Sequence, residues 1–368
     1  MGRLPRFLVE SLSIAVSVLI YFVTMRHFNR ADSDAERRSS AGTGLAMPRK
    51  RVALLIESSR GYGRGLLQGV AHYARTQAAW AISTEPRAPR DPIPRWLADW
   101  RGDAVIARIE TRAMAEHLLA LRVPVVDLRG LNFDPAIPLI ETDERSVTQL
   151  AFDHLVDRGF HRFAYVGFFD HNYSERRCEL FQRLAADDGS DCFVYETPPA
   201  LRKASSWEQV THGLVSSDYL RGCLQQLPKP IGLMACNDVR GQQVLNACRE
   251  VGVAVPEDIA VVGVDDDEVL CELSDPPLSS VAPDVFRIGY EAAALADQLM
   301  AGDAPPTGPT FIEARGVVTR QSTDVTAIDD RNIAAAVRFI RDHACDGIGV
   351  DDVVDAVPLS RSTGQTSA

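Results

Sequence analysis

None of the seven cysteines stands in a Cys-x-x-Cys pair, and none has the spacing of a zinc site. An odd, scattered set suits small core side chains in a reducing cytoplasm rather than a disulfide framework. The chain also lacks a Gly-x-Ser-x-Gly elbow, a His-Glu-x-x-His helix, a phosphate-binding P-loop and any Cys/His constellation in a supporting strand–turn–helix context. No enzymatic activity, resident metal or cofactor is therefore expected. Excess positive charge is missing as well. The formal net charge of −11 excludes a nucleic-acid coat made of the whole chain, so any DNA contact must come from a local basic surface.

What is present is an ordinary globular composition, 46% hydrophobic and 24% charged over 368 residues, long enough for two domains. Residues 7–25 form an apolar run flanked by Arg3, Arg6, Arg26 and Arg30, near the ~17–20 residues a bilayer crossing needs but carrying Glu10. Residues 26–50 read as a polar linker. Three readings stand: a membrane anchor, a cleaved signal peptide without a small-residue cleavage site, or translation from Met47, which opens the folded part directly as MPRKRVALLIESS. The last gives a cytoplasmic protein; the first gives one tethered through residues 7–25.

Residues 236–281 organise the rest. Ile231–Ala235 is an apolar run with the length of a buried strand. Asn237 and Asp238 follow it and can cap a helix, since both side chains accept hydrogen bonds from free backbone N–H groups. Residues 239–251 carry apolar side chains at helical spacing up to Gly252. Ile259–Val264 is a second buried strand, with Asp265, Asp266 and Asp267 at its carboxyl end. In an open parallel sheet ligands bind there, so Asn237, Asp238 and Asp265 are candidate ligand residues.

The ordered string NDVRGQQVLNACREVGVAVPEDIAVVGVDDDE, then DPPLSSV, resembles the sugar-binding core of the lactose-repressor/galactose-repressor family. The stretch SSRGYGRGLLQGVAHYAR is similar to the start of xylose-responsive operon regulators of the arabinose-regulator superfamily. The resemblance implies an α/β, two-lobed, type I periplasmic-binding-protein-like fold, with two parallel-sheet lobes, a hinge and a short all-α C-terminal fragment. Strands at 51–57, 80–84, 102–109, 123–128 and 139–142, alternating with helices, agree with such a sheet. Lobe 1 is expected at about 51–158 and 284–307, lobe 2 at about 159–283 and 308–322, and the fragment at 323–368. The chain would cross between lobes near 158, 283 and 308. Arg177, in SERRCELF, aligns with the family's ligand-binding arginine. Asp238 and Asp265 align with strand-end ligand positions, and Tyr62, Arg108 and Trp207 would face the same cleft. The family role implies a monosaccharide effector, xylose or a relative, together with promoter DNA and a homodimer joined through the core. A sugar receptor that does not bind DNA is the alternative.

Gly61, Gly63 and Gly65, with Glu85 further on, also suggest a dinucleotide fingerprint, but its third glycine would fall at Leu66. At the other end, residues 330–344 and 348–356 form two amphipathic helices. Ser360, Arg361 and Ser362 would begin a DNA-reading third, resembling the first helix-turn-helix of the arabinose-regulator domain. A second helix-turn-helix is expected in that family and is absent after Ala368, so a truncated tail with doubtful DNA binding is expected.

Overall fold

The computed structural model describes residues 49–168, 171–195, 217–324, 331–343 and 345–356. Residues 7–25, Met47, Trp207, Ser360, Arg361 and Ser362 lie outside the described residues.

Lobe 1 is built on a parallel sheet in the order β2–β1–β3–β4, from β1 (Arg51–Leu55), β2 (Ala81–Ser83), β3 (Ala104–Ala107) and β4 (Val125–Asp127). A bridge from Asp127 to Leu139 carries it on to β5 (Ile140–Thr142), which pairs with the late strand β11 (Thr310–Ile312). Helix α1 (Gly61–Thr76) and helix α8 (Val285–Ala301) cover one face, packing Leu66, Val70, Ile288 and Ala292 on Val52, Leu54 and Ile106. Helix α2 (Arg112–Ala120) covers the other with Met114, Ala115 and Leu118. The strands are apolar on both sides because helices flank both faces.

Lobe 2 repeats the plan with six strands in the order β12–β10–β9–β8–β6–β7. They are β6 (Arg162–Val166), β7 (Asp191–Tyr195), β8 (Ile231–Ala235), β9 (Ile259–Val264), β10 (Ser279–Ala282) and β12 (Gly316–Val318), the last one antiparallel. Helices α3 (Glu144–Val156) and α4 (Asn172–Asp188) cover one face; α5 (Ser217–Gln226) and α6 (Asp238–Glu250) cover the other. The short α7 (Glu268–Glu272) follows β9, and α9 (Arg331–His343) and α10 (Val350–Ala356) form a C-terminal helix pair.

Two of the three expected crossings move. Helix α3 belongs to lobe 2, where Val147, Ala151 and Leu155 pack on Phe163 and Val262. The first crossing is therefore at Asp143, not near 158. Residues 310–312 extend the lobe 1 sheet, which puts the third crossing at 313–315, not 308. The second stays at 283–284, between β10 and α8. The three crossings are stitched together: Asp143 N–H donates to Ile312 O at 2.8 Å, Ala314 N–H to Ser146 Oγ at 2.9 Å, and Arg315 N–H to Ala282 O at 2.8 Å.

The glycine-rich stretch is helical from Gly61. Its glycines serve close approach. A Cβ on Gly63 would lie 2.0 Å from Glu57 O, and one on Gly69 would lie 2.0 Å from Phe286 O. Backbone cannot move away from such a clash cheaply, so β1, α1 and α8 sit at distances that only glycine permits.

Candidate functional site

Parallel strands deliver their last residues to one edge of a sheet. Here Glu57, Arg108, Thr142, Asn237 and Asp265 stand at or just past the ends of β1, β3, β5, β8 and β9, around one cavity between the lobes. The cavity measures about 130 Å³.

On the lobe 1 wall, Arg108 Nη1 pairs with Glu57 Oε1 at 3.0 Å, and the guanidinium carbon lies 4.9 Å from the centre of the Tyr62 ring. Burial pulls the Arg108 pKa down, but Glu57 and Glu110 outweigh it and raise it, so the cation persists. Its Nε is buried without a hydrogen-bond partner among the described residues, a donor open to a ligand oxygen. Tyr62 exchanges a hydrogen bond with Thr142 Oγ1 at 2.8 Å. Burial pushes the phenol up to about 12, keeping it a neutral hydroxyl. Arg129 pairs with Glu110 at 3.2 Å.

On the lobe 2 wall, Arg177 is 3% exposed. Its Nε donates to Glu144 Oε2 and its Nη1 to Cys236 O, each at 2.5 Å, and it lies 5.1 Å from the Tyr173 ring. Burial disfavours the charge, while Glu144 and Asp265 restore it. Asn237 caps α6, accepting from Arg240 N–H at 3.0 Å, and its amide donates to the Tyr173 hydroxyl at 3.3 Å. Asp238 is 1% exposed and both of its oxygens are occupied: Ser280 Oγ donates to one at 2.6 Å and Asp267 N–H to the other at 2.8 Å. Its role is to hold the turn after β9, and burial together with Asp265 raises its pKa well above the carboxylate range. Asp265 sits on that turn with φ 111° and hydrogen-bonds no side chain among the described residues. Burial raises its pKa to about 6, against the pull of Arg177 and Arg108.

The lobes meet across the cavity mouth. Asp267 Oδ2 accepts from Gly61 N–H at 3.0 Å, Arg129 donates to Asn172 at 2.5 Å, and Arg176 donates to Glu141 at 2.8 Å. Among the described residues no His/Cys/Asp/Glu cluster is arranged to hold a metal ion, and no helix is long and apolar enough to cross a membrane.

Six residues marked from the sequence thus line one cavity: Tyr62, Arg108, Arg177, Asn237, Asp238 and Asp265. Glu57, Glu144, Arg129 and Tyr173 escaped sequence reasoning. Glu57 follows β1 as Asp265 follows β9, so the strand-end rule applied to every strand finds it. Glu144, in the first turn of α3, looks in sequence like an ordinary acidic helix start.

The chain matches the family model for the XylR N-terminal domain at residues 51–145 and that for a periplasmic binding protein-like domain at residues 152–323. The Xylose operon regulatory protein of Escherichia coli K12 is 33% identical over 327 residues, covering 85% of this chain and 80% of that protein. Its counterpart in Haemophilus influenzae is 30% identical over 322 residues, again 85% of this chain and 80% of that protein. A solved structure described as the xylose-binding transcription activator xylR superposes with a TM-score of 0.71 at 30% identity, covering 86% of this chain and 80% of that one. A LacI family transcriptional regulator from Mycobacterium smegmatis shares the fold, with a TM-score of 0.60 at 19% identity over 76% of this chain and all of that one. With a cleft whose walls end in paired arginines and carboxylates, and with relatives matched across both lobes, the chain belongs to the xylose operon regulator family.

Proposed function

We propose that this chain is a sugar-responsive transcription regulator whose effector is a neutral monosaccharide of pentose size, D-xylose, bound between the lobes. The observation that carries the reading is the charge pairing of the cavity. Arg177, Arg108 and Arg129 each bring their own carboxylate, Glu144, Glu57 and Glu110. Little net charge is left to attract an ionic ligand, while both donors and acceptors line the cavity as a ring of hydroxyls requires. Tyr62 and Tyr173 line the cavity and add aromatic surface beside the arginines that lie over their rings, suited to the apolar side of a sugar.

Arg177, Arg108, Asp265 and Asn237 are the direct ligand contacts in this reading, with Tyr62 stacking and Asp238 positioning; Trp207 belongs to the proposed contact set as well. Promoter DNA is met by the C-terminal segment through Ser360, Arg361 and Ser362, and the protein acts as a cytoplasmic homodimer joined through the sugar-binding core. Titration calorimetry tests the central point: D-xylose binds, and sugar phosphates or sugar acids of similar size bind far more weakly. Preferential binding of an anionic sugar would overturn the neutral-ligand reading. A gel-shift titration on operator DNA, with and without D-xylose, tests the regulatory half.

A further inference from the structure

The turn that presents Asp265 and the segment that leaves lobe 2 toward the C-terminal helices are held by the same side chains. Residues 265 and 266 take φ of 111° and 49°, a left-handed conformation that costs a non-glycine residue about 1–3 kcal/mol. Three successive amides enforce it: Asp265 N–H donates to Val281 O, Asp266 N–H to Ser280 Oγ and Asp267 N–H to Asp238 Oδ2, at 3.0, 3.0 and 2.8 Å. The Asp266 carboxylate lies 3.0 Å from Arg320 Nη1, a charge contact off the hydrogen-bonding axis.

Arg320 is where the exit segment begins. Its Nη1 donates to Leu278 O and its Nε to Glu272, while its backbone N–H donates to Ser279 Oγ, at 3.1, 2.8 and 2.7 Å. Directly after it, Gln321–Thr323 is a helical turn with Ser322 and Thr323 buried. Ser322 Oγ donates to Val261 O at 2.6 Å and accepts from Ser279 N–H at 2.8 Å; Thr323 Oγ1 donates to Ser279 Oγ at 2.7 Å. Ser279, Ser280, Ser322 and Thr323 have no exposed surface. Neighbouring residues of β10 therefore hold the cavity turn with one hydroxyl, Ser280, and the exit segment with the other, Ser279, and Arg320 bridges the two.

We propose that Arg320 is a positioning residue that couples occupation of the cleft to the order of the exit segment 320–324, acting through Asp266 on the turn that carries Asp265. The coupling rests on the reading of the cleft as a sugar site. It is reciprocal: a sugar drawn to Asp265 tightens the turn and the exit segment, and loosening the exit segment weakens the sugar.

Hydrogen–deuterium exchange on the full chain, with and without saturating D-xylose, reads this directly. In the wild type, peptides covering 316–324 gain protection when sugar binds. In Arg320→Gln that sugar-dependent gain is lost, and the D-xylose Kd rises roughly five- to fifty-fold, the usual range of coupling between sites. Arg320→Lys keeps the charge beside Asp266 and restores most of both effects. Asp266→Asn, which leaves the Glu272 and Leu278 contacts of Arg320 in place, reproduces the loss, so the result does not depend on Arg320→Gln folding well. An equal sugar-dependent gain in wild type and both variants overturns the coupling. So does a wild type that binds D-xylose by calorimetry with no change at 316–324. Absence of any D-xylose binding to the wild type removes the cleft reading itself, and the coupling with it.

Discussion

The two walls of the cleft are made differently. Lobe 2 presents Asp265 on a turn whose every amide is hydrogen-bonded, backed by hydroxyls with no exposed surface. Lobe 1 presents Arg108 and Arg129 through ion pairs with Glu57 and Glu110, at the edge of a sheet positioned by glycine-mediated packing of α1 on α8. Hydrogen bonds to backbone are directional and leave an unpaired group when broken; ion pairs tolerate angular change. Lobe 1 also ties down backbone, with Asp127 accepting from the Ile109, Arg129 and Gly130 amides, but its cations face the ligand through ion pairs, so lobe 2 is expected to be the stiffer wall at Asp265.

The largest test removes the cation of the lobe 2 wall. Arg177→Ala leaves the half-buried Glu144 without its partner and the Cys236 carbonyl without its donor, and should cost about 3–5 kcal/mol of stability, while abolishing measurable D-xylose binding. Urea denaturation and calorimetry read the two effects, and a loss of only a few tenths of a kcal/mol would mean that this wall is as tolerant as the other. Next, Asp238→Ala frees the Asp267 amide and the Ser280 hydroxyl at once. D-xylose affinity should fall by about 2–4 kcal/mol although Asp238 has almost no surface, whereas Glu57→Gln on the lobe 1 wall should cost about 1 kcal/mol. Equal losses for the two would erase the distinction between the walls.

A third test uses acid. His154 is buried beneath the lobe 2 lattice, where Thr323 uses its one proton on Ser279, so His154 Nε2–H must be the donor to Thr323 Oγ1 at 2.8 Å. Its Nδ1 faces Arg158 Nη1 at 3.1 Å. Burial, with Arg158 adding to it, lowers the His154 pKa from 6.5 to about 4. Between those values the unfolded chain binds a proton that the folded chain does not, so stability falls as pH drops from about 6.5 toward 4, by up to roughly 3 kcal/mol. Asp265, with its raised pKa, works in the opposite direction over part of this window. The informative quantity is thus the difference in Tm between wild type and His154→Gln across the range, which should shrink toward acid pH; a constant difference would contradict a neutral, buried His154. A last test falls on the lobe 1 helix pair: Gly69→Ala should lower stability by about 1–3 kcal/mol through the clash with Phe286 O and leave D-xylose affinity within a few-fold of wild type.

Much of this architecture was legible before any coordinates. The apolar runs at 231–235 and 259–264 have the length of strands buried on both faces, and both are such strands. The carboxyl-end rule led to Asn237 and Asp265 because Asn and a triple aspartate are conspicuous after such runs. The crossings were harder. Asp143 is at once the N-cap of α3 and the point of passage, and no break marks it, whereas Gly159 is a strong helix stop lying wholly inside lobe 2. Residues 310–319 look like one strand, yet Glu313, Ala314 and Arg315 carry the chain from one sheet to the other. The Gly61 helix was hidden because Gly61, Gly63 and Gly65 lower helix propensity locally, and the reason for them exists only in three dimensions: a Cβ there would lie 2.7 Å from Asp267 Oδ2, 2.0 Å from Glu57 O and 2.2 Å from Val285 Cγ2. The double engagement of Asp238 was invisible for the same cause: its partners lie 29 and 42 residues away.

The stitching of Asp143, Ala314 and Arg315 to their neighbours has a mechanical consequence. Three tapes lashed edge to edge bend about a common line but resist shear and twist, as a door hung on three pins does. Opening of the jaws is then a motion with one degree of freedom, and a single distance between two dyes, one on each lobe, would trace its full course.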